Sequence, residues 1–162
     1  MKGINKRFAK LKLVSKVTHF DTDGDGKITG KSVAMKVDPE CETTTLTTEC
    51  TVADKGGKIE IEYKESEITG MEGSVTKVVF DKSNPSLVSI LREGAVSTAL
   101  VFEEGKRNLC IYQTPYFPIE LCINTLSLEN TLTYEGGRMC AEYLVEMNGI
   151  LAEKTNITIT VF

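Results

Sequence analysis

The segment Asp21-Thr22-Asp23-Gly24-Asp25-Gly26-Lys27-Ile28-Thr29 places carboxylates at alternate positions of a glycine-rich loop. In a calcium-binding loop the side chains at positions 1, 3 and 5 converge on one hard cation, and glycine at position 6 permits the sharp turn. Asp21, Asp23 and Asp25 are therefore candidate Ca²⁺ ligands. Position 12 calls for a bidentate Glu, and here it is Ser32, while Val33 through Val37 read as extended rather than helical. A plain turn joining two strands accounts for the same residues, because Asp and Gly dominate turns for local reasons. The turn is the stronger reading. Calcium remains the weaker one, and no other cofactor is expected.

Other chemistry-bearing residues are sparse. His19 is the single histidine, and the five cysteines (Cys41, Cys50, Cys110, Cys122, Cys140) are widely spaced, with no C-x-x-C pair. That pattern suits neither a zinc site nor a disulfide framework. No serine or cysteine sits in a nucleophile motif, and Gly70-Met71-Glu72-Gly73 lacks the lysine and following helix of a phosphate loop. Glu65-Ser66-Glu67 and Glu72 cluster around a glycine turn; paired carboxylates do acid–base work when buried, but the turn-like neighbours favour a solvated rim. No catalytic constellation emerges, and the chain is not expected to be an enzyme. Aromatic residues offer more. Tyr112, Thr114, Tyr116 and Phe117 surround a proline turn, and Tyr63 lies on the apolar face of an alternating run. Flat apolar rings with hydroxyl tips suit ligand contact. Plugging the end of a barrel is the equal alternative.

Those residues need a scaffold, and the sequence supplies a rhythm of strands. From Thr43 to Phe162, stretches of alternating apolar and polar residues are punctuated by Gly56-Gly57, Glu72-Gly73, Glu93-Gly94, Glu104-Gly105, Gly136-Gly137 and Asn148-Gly149. Period-2 alternation marks half-buried strands, and these dipeptides supply the positive φ of tight hairpins. In residues 58–64, Ile59, Ile61 and Tyr63 face one way. Met139, Ala141, Tyr143, Val145 and Met147 do the same in a later run, as do Phe117, Ile119, Leu121 and Ile123. Residues 8–18 read as a first strand, with a helix through Phe8, Leu11 and Val14 as competitor. Ser83-Asn84-Pro85 ahead of Leu87–Leu91 offers a short helix start. A strand is possible within Ile28–Val37. The count of nine or ten strands predicts an all-β fold, a closed antiparallel up-and-down barrel of about 8–10 strands, because closure removes exposed sheet edges. Such a barrel either holds one small ligand or fills with side chains.

Bulk properties bound the rest. The chain has 162 residues and is 41% hydrophobic, which suits one core. Residues 1–162 are expected to form a single domain, with an irregular enlarged loop or added hairpin at about 19–42. Lys2, Lys6, Arg7, Lys10, Lys12 and Lys16 make the start basic, whereas the whole chain carries −4. Lys10, Lys12 and Lys16 alternate with Leu11, Leu13 and Val17, so they read as the solvent face of the first strand. An acidic body without tryptophan disfavours nucleic acid. No apolar run reaches membrane-span length and no secretory leader is evident. A cytoplasmic protein, with no membrane partner, is expected.

Three stretches carry a resemblance: Ile59 to Thr76, Leu109 to Tyr116, and Leu132-Thr133-Tyr134-Glu135-Gly136-Gly137 leading into Tyr143–Asn148. Together they resemble the YwiB-like family of bacterial domains of unknown function. The resemblance spans residues 43–162, with residues 8–18 fitting the first strand and residues 19–42 departing from the pattern. It implies a lipocalin-like (calycin-type) barrel, cytoplasmic and without established activity. The function expected is a non-enzymatic binding barrel for a small apolar or amphipathic ligand. A side-chain-filled interaction module is the alternative, and a weak calcium loop at 21–32 the next.

Overall fold

The structure, a computed structural model, describes residues 3–20, 41–69, 71–94, 97–113 and 115–162. Ten strands follow one another: β1 (Ile4–His19), β2 (Cys41–Lys55), β3 (Lys58–Lys64), β4 (Val75–Asp81), β5 (Asn84–Glu93), β6 (Thr98–Glu103), β7 (Arg107–Gln113), β8 (Pro118–Asn130), β9 (Gly137–Met147) and β10 (Ile150–Val161). Among the described residues a single 3-10 turn, Glu67–Thr69, lies between β3 and β4. The strands form one antiparallel sheet in the order β6-β5-β4-β3-β2-β1-β10-β9-β8-β7. The sheet curls into a nearly closed barrel, as the strand rhythm predicts. At the seam, the Ser97 N–H donates to the Gln113 carbonyl (3.2 Å) and the Gln113 N–H to the Ser97 carbonyl (2.9 Å).

Both helical alternatives give way to strands. Residues 8–18 belong to β1, whose Lys10, Lys12 and Lys16 are exposed while Leu11 and Leu13 are buried. Pro85 and Leu87–Leu91 belong to β5. Proline is tolerated there because it stands beside the β4–β5 turn, where Asp81 pairs with Asn84 and the ladder is irregular. The strand considered within Ile28–Val37 lies outside the described residues. β8 runs on to Asn130, past the end that alternation suggests. A bulge between Thr125 and Ser127 shifts the inward set from Ile123 and Thr125 to Leu128, leaving Leu126 exposed.

The two barrel ends differ. At the end holding the β2–β3, β4–β5 and β8–β9 turns, Leu11, Val52, Ile59, Val78, Phe80, Val88, Phe102, Met139 and Ile159 pack into a continuous core. Arg7 helps seal that end. Its Nε donates to the Tyr134 carbonyl (2.5 Å) and its guanidinium lies 5.6 Å from the Tyr134 ring centroid, a cation–π arrangement. The Gly136-Gly137 turn requires glycine: at Gly137 φ is 131° and an added Cβ would press on the Thr131 carbonyl. The opposite end collects the ends of β1, β3, β5, β7 and β9 and is lined by polar groups.

One core group works against stability. Thr125 is fully buried on β8, and its hydroxyl has no hydrogen-bond partner. An orphaned buried hydroxyl costs about 1–3 kcal/mol. Thr125→Val should therefore gain about 1 kcal/mol and raise Tm by about 2–4 °C for a chain of this size. A calorimetric Tm at or below that of the wild type would disprove it. All five cysteines are free. Burial pushes the Cys50 and Cys110 thiols above their ordinary pKa, as expected of small apolar core residues.

Candidate ligand-binding cavity

Inward-facing residues at the open end leave a cavity of about 460 Å³. Its position follows from strand parity. On β1, the residues that continue the buried Leu11 and Leu13 are Ser15, Val17 and His19. On β3 the set Ile59, Ile61, Tyr63 leads to Glu65, and on β5 Val88 and Ile90 lead to Arg92. Each inner stripe starts apolar at the closed end and turns polar toward the mouth. Leu13, Ile90, Leu100 and Ile157 form the apolar depth of the cavity. Arg92 pairs with Thr98 one pleat nearer the mouth than the Ile90–Leu100 pair.

A buried ionic network stands at that polar level. Glu65, its side chain 1% exposed, faces Arg92 across 3.5 Å. Thr76 donates to Glu65 Oε1 (2.7 Å) and Thr69 to Oε2 (2.8 Å), while Arg92 Nε donates to the Thr76 hydroxyl (3.2 Å). The 3-10 turn makes this possible. Its Thr69 N–H donates to the Ser66 carbonyl (3.2 Å), which folds Thr69 back over the Glu65 carboxylate. Tyr63 lies beside Glu65; burial first, and then the Glu65 charge, push its phenol well above the ordinary value. Across the cavity Tyr143 is pushed up to about 12, chiefly by burial. The Tyr143 ring packs 4.8 Å from that of Phe102, tying this wall to the core. At the rim His19 stands between Glu42 (3.7 Å) and Glu153 (3.4 Å).

The residues singled out from sequence divide into three groups. Tyr63 and Tyr112 line the cavity. Tyr116 and Phe117 lie away from it, 89% and 63% exposed, ahead of β8. Thr114, and the candidate calcium ligands Asp21, Asp23 and Asp25, fall outside the described residues. Among the described residues no three His, Cys, Asp or Glu side chains group to hold a metal. The acidic cluster is not one unit. Glu67 and Glu72 are exposed as expected of a rim, but Glu65 is buried because its parity is that of Ile61 and Tyr63. Arg92 and Tyr143, central to the cavity, were missed as functional residues; the same parity, extended through β5 and β9, places both inside.

A family model described as a domain of unknown function (DUF1934) matches residues 28–159. The match begins inside the 19–42 segment that sequence reading set apart from the family pattern. The crystal structure of the YwiB protein from Bacillus subtilis is similar, with a TM-score of 0.69 over 95% of this chain and 91% of that one. At 21% identity, the likeness is one of fold. No curated protein matches the chain. Among the described residues, no helix is long and apolar enough to cross a membrane.

Proposed function

The chain belongs to the DUF1934 family of domains of unknown function, and from that premise we propose that it is a cytoplasmic, non-enzymatic barrel that takes a small amphipathic ligand into its open end. The observation that carries this reading is the cavity of about 460 Å³, apolar at depth and polar at the level of Glu65 and Arg92. A volume of this size lies within the ~300–1,000 Å³ of small-molecule sites. An apolar wall with a few convergent polar groups is the arrangement that orients an amphipathic guest. The lipocalin-like barrel that the family resemblance implies supports the reading by analogy of fold alone. The alternative, a module acting through its surface, is favoured by one observation. Leu109 and Ile111 on the outer face of β7, beside the seam, are 71% and 47% exposed.

Thermal-shift measurements with fatty acids, fatty amides, haem and flavins separate the two. A ligand at about a hundred times its Kd stabilises the folded chain by ~2.7 kcal/mol, or about 5–10 °C in Tm. Ser15→Trp, which fills the cavity from β1, should abolish that shift. A flat series with every compound class sinks the binding reading and leaves the surface module.

A further inference from the structure

Glu65 and Arg92 are unequally satisfied. The Glu65 carboxylate accepts from Thr69 and Thr76 and faces Arg92, so both of its oxygens are engaged. A guanidinium carries five N–H donors and no acceptor. In Arg92 the Nε hydrogen goes to Thr76, and Nη2 reaches Glu65 only at the long distance of 3.5 Å. Among the described residues its other donors have no further hydrogen bond, and its side chain, 14% exposed, lines the cavity. Thr98, opposite Arg92, also has an unpartnered buried hydroxyl, but it does not line the cavity. At this level the unused capacity facing the cavity is therefore that of the Arg92 donors, and a guest must bring an acceptor.

Charge narrows the head group further. Arg92 is already balanced by Glu65, and Glu42 and Glu153 add negative charge at the mouth. A carboxylate head would have to stand beside Glu65, and like charges in a partly desolvated site repel strongly. An ammonium head would meet Arg92, with the Glu65 oxygens already occupied. We propose, resting on the binding-barrel reading above, that the cavity takes a short-chain amphipath with an uncharged carbonyl head of the amide class. Its oxygen lies on Arg92 and its tail runs toward Leu13, Ile90 and Leu100.

The test uses one tail and three heads: octanamide, octanoate and octylammonium, titrated calorimetrically into the full chain at neutral pH. Octanamide should bind at least about tenfold tighter than either charged analogue, as expected of one added hydrogen bond to a buried charge. It should also shift the Arg92 Nε–Hε NMR signal. The double variant Glu65→Gln/Arg92→Met keeps no buried charge and should bind all three within about threefold of one another, the spread left when no charged hydrogen bond discriminates. Octanoate or octylammonium binding as tightly as octanamide to the wild type would overturn the head-group assignment while leaving the binding barrel standing. A preference for octanamide that persists in the double variant would overturn it too. No heat and an unmoved Arg92 signal with all three would remove both readings.

Discussion

Arg92→Leu should cost about 3–5 kcal/mol of stability, because it leaves the Glu65 carboxylate buried without its counter-charge. Thr69 and Thr76 would still donate to Glu65. Hydroxyls hydrogen-bond the carboxylate but supply no counter-charge, and a buried charge left without one is what costs stability. The double variant Glu65→Leu/Arg92→Leu should recover most of the loss, because a buried ion pair, once desolvated, contributes little more than well-packed apolar groups of similar volume. Urea denaturation of the two variants provides the check. A single variant within about 1 kcal/mol of wild type would mean that water reaches Glu65 freely, at odds with its burial. The expected pattern has a functional meaning. If the fold is nearly indifferent to the intact pair, its charge and donors are available for another use, and Arg92 lines the cavity.

Most of the barrel was legible from sequence because each strand obeys one local rule, side-chain alternation, and each tight turn another. Asn148-Gly149 shows the second: both residues have positive φ, 54° and 76°, as a two-residue hairpin needs. Legibility failed where one rule interrupted the other. The bulge after Thr125 reverses the parity of β8, so Leu126 and Leu128 fall out of phase with Ile119, Leu121 and Ile123, and the alternation breaks off before the strand ends. The cavity was half legible. Tyr63 and Tyr112 stood out as aromatic residues. Glu65 and Arg92 belong by type on the surface, and only their phase within β3 and β5 puts them inside. What no local pattern contains is the pairing of Glu65 with Arg92, which lie 27 residues apart. The ladder of β3 on β4 and β4 on β5 brings them together, with Tyr63 opposite Thr76 and Thr76 opposite Arg92.

Alkaline pH should unfold this barrel through its two buried phenols. Both Tyr63 and Tyr143 have pKa values raised by burial above the ordinary value of about 10, Tyr143 to about 12. A raised folded-state pKa means that the folded chain holds its proton after the unfolded chain has lost it. The stabilisation is therefore complete below pH ~10 and declines as pH rises toward the folded-state value. Each linked phenol contributes a slope of about 1.4 kcal/mol per pH unit, so Tyr143 alone accounts for about 3 kcal/mol lost between pH ~10 and ~12. Tyr63 continues the decline above that. Lys82, held charged by Asp54 at the surface, titrates in the same region. The difference between wild type and Tyr143→Phe cancels its contribution. Tyr143→Phe should lose no more than about 1 kcal/mol at neutral pH, the worth of one hydroxyl's hydrogen bonding, and should then fall less steeply than wild type in alkali. Stability followed by urea denaturation at stepped pH, with tyrosinate absorbance alongside, tests both parts. Parallel curves for the two proteins would show that the Tyr143 hydroxyl is solvated. Divergent curves would establish that the phenols facing the cavity stay protonated at neutral pH, where the Tyr143 hydroxyl stands across the cavity from Arg92 as a further donor.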